Sequence, residues 1–169
     1  MQPCSAVIAD MQDKIDFVFA RSDVLDAFAE LEALIGRILK SCGHPASNEP
    51  FGHRLKAFRT AGKTTFIAKA NLGQRDHIAD AIADLLPIRA DIVHSAMRLV
   101  TFDGREVALF VNAQQAFAPY PQARIVDLVQ LRGLARELRD LRKRVSELAK
   151  CVNPASSPPP PSPGAAGGP

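Results

Sequence analysis

Apolar residues along this chain recur at the helical period far more often than in alternation. Ile15 and Phe19, with Val18, fall on one face of a first helical segment. Ser22 then fits an N-cap, and Asp23 follows in the turn where a carboxylate favours the helix dipole. Leu25, Phe28, Leu31 or Glu32, Ile35, and Ile38 or Leu39 repeat at three and four, which predicts an amphipathic helix over residues 23–41. Gly43 is its expected stop, with His44 to Pro50 as a loop. A short helix over Phe51–Arg59 comes next, and the stretch through Leu72 has no dominant period. Ile78, Ile82, Leu85, Ile88 and Ile92 then form a stripe reaching about Ala96, with a kink expected at Pro87, which lacks an N–H and crowds the preceding turn.

Two runs break the helical rhythm. Leu99–Phe102 and Glu106–Val111 flank Asp103-Gly104, a pair suited to a two-residue hairpin turn. After Pro119 and Pro121, a closing helix carries Ile125, Leu128, Leu131, Leu134, Leu138, Leu141, Val145 and Leu148 as its seam. That seam serves either a bundle core or a second chain. The pattern predicts a mainly α fold, a helical bundle of four to five helices with one inserted β-hairpin near residues 99–111.

Composition narrows the class without naming an activity. With 47% apolar and 23% charged residues in 169, the chain reads as one soluble globular domain. No apolar run approaches the length of a membrane span, and the N-terminal residues lack a secretory pattern. Cys4, Cys42 and Cys151 are odd in number and far apart, which argues against disulfides and fits a cytoplasmic location. Residues 153–169 hold seven Pro and three Gly with no charge, so the domain is expected to span 1–152 and a disordered tail to follow.

Charge is distributed as a gradient. Residues 1–50 carry four basic against eight acidic side chains, residues 51–122 nine against six, and residues 123–150 eight against four. The basic second half could attract phosphates, and Arg132, Arg136, Arg139, Arg142, Lys143 and Arg144 are its candidate RNA-binding residues. The acidic first half reads most simply as a solvated face, with the basic half of a second copy as the alternative neighbour.

Few residues fall into catalytic spacings. The run from Ala57 to Thr64 matches a phosphate-binding loop only loosely, because it lacks the leading glycine and a preceding buried strand. His44, His53, His77 and His94 never occur at the spacing that sets two metal ligands on one helix face. Neither a metal nor another cofactor is expected. Arg89-Ala90-Asp91-Ile92-Val93-His94 is more informative. An imidazole moves protons near neutral pH, and a guanidinium stabilises the charge that grows on a phosphate in a transition state. Residues five apart in a helix point about 140° away from each other, so these two need a distortion, a long reach or a second copy to meet. Asp91, three residues before His94, is placed to orient its ring.

The segment Pro87 to Ser95 resembles the signature of HEPN domains, small helical bundles marked by Arg, four to six residues, then His at the end of a late helix. The order of parts over residues 20–150 is similar as well. The resemblance implies a homodimer whose cleft unites Arg89 and His94 in metal-independent RNA cleavage. It implies with equal force a non-catalytic module that binds RNA, a protein partner or an inhibitor. Ala90 departs from the polar residue, usually Asn, that follows the Arg in the family. Ala96 replaces the Tyr that some toxin members carry two residues after the His, which disfavours the toxin–antitoxin version controlled by adenylylation; Tyr120 lies elsewhere, between prolines.

Overall fold

A computed structural model describes residues 4–60, 71–112 and 123–150. It is mainly helical. The order is α1 (Cys4–Ser41), a 3₁₀ turn (Pro45–Asn48), α2 (Phe51–Thr60), α3 (Leu72–His94), β1 (Ser95–Phe102), β2 (Arg105–Asn112), β3 (Ala123–Val126) and α4 (Leu128–Lys150). Both the bundle and the hairpin expected from the sequence are present. The tail from Asn153 onward lies outside the described residues. Among the described residues no helix is long and apolar enough to cross a membrane.

Helix α1 is one continuous rod where two segments were expected. Nothing between residues 12 and 41 breaks a helix, and Ser22 sits exposed in mid-helix with no capping role. The buried stripe of its first half is also rotated from the expected one. Phe17, Ala20, Val24, Ala27, Phe28, Leu31 and Ile35 are buried, whereas Ile15, Val18 and Phe19 face outward. The buried set keeps the three-and-four rhythm without interruption, and its alanines let a neighbouring helix approach closely. The helix ends as expected at Gly43. Its positive φ of 65° closes the turn, with the Gly43 N–H on the Lys40 carbonyl and the His44 N–H on the Leu39 carbonyl.

The ion pairs show how the helices run. Asp16 meets Arg132, Asp23 meets Arg139 and Glu30 meets Arg142, so α1 and α4 lie parallel. Glu32 meets Arg89, while Arg21 reaches the carbonyls of Ile92 and Ser95, so α3 runs antiparallel to α1. The α4 seam is core. Leu131, Leu134, Leu138, Leu141, Val145 and Leu148 are all buried with the α1 stripe, together with Phe58, Ile78, Ile82 and Ile92. These seam side chains are thus buried within their own chain.

The first expected seam residue, Ile125, belongs instead to β3 and is 46% exposed. A reciprocal cap starts α4 just after it. The Asp127 carboxylate accepts from the Gln130 backbone N–H at 2.7 Å, and the Gln130 side chain accepts from the Asp127 N–H at 2.9 Å. The sheet is antiparallel in the order β1-β2-β3. Asp103 and Gly104, with φ of 50° and 71°, make the tight turn between β1 and β2, where Phe102 faces Arg105. Ala108 and Phe110 of β2 are fully buried and join the sheet to the helical core.

Helix α3 continues through the exposed Pro87 and ends at His94, two residues short of the expected Ala96. Ser95 passes directly into β1. Arg21 meets the carbonyls on either side of this joint, that of Ile92 in the last turn of α3 at 3.0 Å and that of Ser95 at the start of β1 at 3.2 Å.

Candidate functional site

The Arg-to-His segment occupies the last turns of α3, and each of its polar side chains turns to a different neighbour. Arg89 lies on the inner flank. Its guanidinium donates to the Glu32 carboxylate at 3.0 Å and sits 5.9 Å above the centre of the Phe51 ring. Asp91 points toward the sheet, where its carboxylate accepts from Arg124 of β3 at 2.7 Å. It does not orient His94. The imidazole of His94 is exposed at the helix end, without a hydrogen-bond or ion-pair partner among the described residues. Within one chain, the structure therefore leaves the two functional groups of the motif unmet.

Glu32 is the residue that organises this region, and the sequence pattern alone placed it only as an alternative core position. Its carboxylate holds Arg89 and also Arg54 of α2, and its backbone carbonyl accepts a further bond from Arg54. Arg54 can lie this close to α1 because Gly36 has no side chain. A Cβ there would stand 2.8 Å from the Arg54 Nη1. Glycine in mid-helix costs about 1 kcal/mol relative to alanine, and here it leaves room for the guanidinium in the position that Glu32 holds. The Nε atoms of Arg54 and Arg89 are buried without a partner, so both guanidiniums are held through their outer nitrogens.

The six candidate RNA-binding residues all lie on the exposed side of α4 but differ in engagement. Arg132, Arg139 and Arg142 pair with acids of α1 at 2.8, 3.3 and 2.8 Å. Arg136, Lys143 and Arg144 are exposed and have no ion-pair partner among the described residues. The acidic first half of the chain thus meets the basic last helix of its own chain.

The remaining histidines have local roles or none. His44 accepts the Ala46 N–H through Nδ1 at 3.1 Å and starts the 3₁₀ turn, His53 lies 3.6 Å from Glu49, and His77 is exposed. Among the described residues no three His, Cys, Asp or Glu side chains cluster to hold a metal ion. Ala57 and Phe58 of the loose phosphate-loop match are buried on α2, and its residues from Ala61 onward lie outside the described residues. Comparison of the chain with family models, curated proteins and solved structures finds no match.

Proposed function

We propose that this chain is a HEPN-like domain that acts on RNA in the cytoplasm, and that its cleaving form is a pair of copies. The observation that carries the reading is the exposed imidazole of His94, fixed at a helix–strand joint that Arg21 ties to α1. In the pair, His94 of one copy takes the proton of a substrate 2′-hydroxyl. The 2′-oxygen attacks the adjacent phosphorus, the bond to the 5′-oxygen breaks as that oxygen takes a proton from water, and a 2′,3′-cyclic phosphate and a 5′-hydroxyl result, with His94 releasing its proton to solvent. Arg89 of the other copy stabilises the charge gained by the phosphate. A second copy is required because the two side chains diverge along one helix. Val93, next to His94, is one of the large apolar side chains the chain leaves exposed, and a second copy would cover it.

A second reading has its own support. The Arg89 guanidinium is neutralised within its own chain by Glu32 and covered by Phe51, which suits a non-catalytic RNA-binding module. Cleavage of end-labelled RNA in excess chelator separates the two. Wild-type protein should cleave, and His94→Ala should lose at least about 100-fold of that activity, the lower range for a proton-transfer group. Equal cleavage by the two proteins removes His94 from the chemistry. Binding without cleavage by either supports the module.

A further inference from the structure

The ion pairs between α1 and α4 form a ladder whose acids are evenly spaced on α1 and whose sign changes at the next position. Asp16, Asp23 and Glu30 recur every seven residues on α1 and meet Arg132, Arg139 and Arg142 of α4. Seven residues repeat the same helix face to within about 20°, so the next rung on α1 falls on residue 37. That residue is Arg37, a cation where the first three rungs carry acids. On α4 the row running through Arg132 and Arg139 continues to the neutral Ser146. The two meet in a groove of about 470 Å³ walled also by Arg139, Arg142, Lys143 and Asp140.

Four cations thus converge on one groove with a single carboxylate in its wall. Two of them are partly neutralised by Asp23 and Glu30, while Arg37 and Lys143 have no ion-pair partner among the described residues. Like charges held together on adjacent helices oppose folding by a small amount. An anion seated between them removes that repulsion. An acid at position 37 would do the same, whereas the cation that stands there leaves the groove with an excess of positive charge for an anionic ligand to meet.

We propose that this groove binds the phosphodiester backbone of a single RNA strand. The proposal rests on the reading of the domain as RNA-acting, but it concerns a surface remote from His94. Arg21 marks the level of His94 on α1, and Arg37 lies sixteen residues further on, about 24 Å along the helix axis at 1.5 Å per residue. Arg37 also lies about 160° around the α1 axis from Arg21, so a strand that reaches both sites must be longer than that axial span. The groove therefore holds RNA away from the point of cleavage and favours substrates longer than a few nucleotides.

Arg37→Glu separates ligand binding from folding, because it continues the row of acids on α1 and sets a carboxylate in the groove with Arg139, Arg142 and Lys143 while reversing the charge a ligand would meet. The test uses full-length His94→Ala protein, which leaves bound RNA intact, with and without Arg37→Glu. Anisotropy of a labelled twelve-nucleotide single-stranded RNA is followed from 50 to 300 mM KCl. The expected result is roughly tenfold weaker binding, with the dependence of log K on log salt flatter by about one, and an unfolding midpoint unchanged or raised. Equal binding by the two proteins, with equal salt dependence, overturns the proposal. So does a twelve-residue polyglutamate, or AMP, that binds as tightly as the RNA and with the same dependence on Arg37, since the groove then takes an acidic peptide or a free phosphate. Cleavage by the wild-type protein is scored separately, so loss of the catalytic reading leaves this binding result standing.

Discussion

Helix α1 carries acids on two flanks, and the molecule uses them in different ways. Toward α4, Asp16, Asp23 and Glu30 make one ion pair each with an arginine whose side chain is about half exposed. Toward α2 and α3, Glu32 is only 20% exposed and holds two arginines at once. Charges in water contribute little when paired, because solvent screens them and ordering two long side chains costs entropy. A carboxylate withdrawn from water is different, since removing it strands its cations in a poorly solvated place. Number of pairs is therefore a poor guide to what holds the helices together. The three pairs on the exposed flank set register, whereas the one cluster on the inner flank positions Arg54 and Arg89.

Both flanks depend on the apolar stripe between them, and the largest effect comes from breaking it. Leu138 is fully buried between α4 and α1. Leu138→Asp removes that packing and puts an unpaired charge in its place, at an expected cost above about 4 kcal/mol. Urea denaturation followed by circular dichroism should find the variant largely unfolded in buffer. A variant that keeps its wild-type midpoint while changing only its sedimentation would contradict the placement of the seam in the core.

The inner flank comes next. Glu32→Gln keeps the shape of the side chain but leaves Arg54 and Arg89 without their carboxylate, and it should cost about 2 kcal/mol. The measurement is the urea midpoint at 50 mM and at 500 mM NaCl. The loss should be nearly the same at both, because salt screens a partly buried cluster much less than an exposed pair. A loss that disappears at high salt would put Glu32 in the same class as the outer acids and release Arg89 from the constraint described for it.

The same contrast decides what could be read from the sequence. Apolar periodicity carried the fold well wherever one residue type filled one face, as in the leucine seam of α4 and the stripe of α3. It failed on the first half of α1, where Ile15, Val18 and Phe19 outrank Phe17, Ala20 and Val24 in bulk yet lie on the outer side. Alanines at a close helix contact look weak in a hydrophobicity count, and large apolar residues on an outer face look strong. Ile125 scores with the α4 seam because it lies three residues before Leu128, although Asp127 and Gln130 have the spacing of a reciprocal cap that starts the helix after it. At the candidate site, the sequence placed Arg89 and His94 on one helix and showed that they diverge. It could not show which flank each would meet. Glu32, Arg54 and Gly36 come together only through the packing of α2 on α1, and no local pattern brings residues 32 and 89 into register.

The smallest expected effect is the one that tests the outer flank. Asp23→Asn removes one rung of the ladder, where both side chains are about half exposed and the charged atoms are 3.3 Å apart. The cost should be about 0.3 kcal/mol at 50 mM NaCl and fall toward zero at 500 mM. Read with Glu32→Gln under the same two conditions, the result has a sign as well as a size. If the outer pairs only set register, the effect of Asp23→Asn vanishes in salt and that of Glu32→Gln persists. Should Asp23→Asn cost as much as Glu32→Gln and resist salt, the outer ladder holds α4 in place. The excess of cations around Arg37 would then oppose a strong clamp, and Arg37→Glu, which sets a carboxylate among them, should raise the unfolding midpoint clearly.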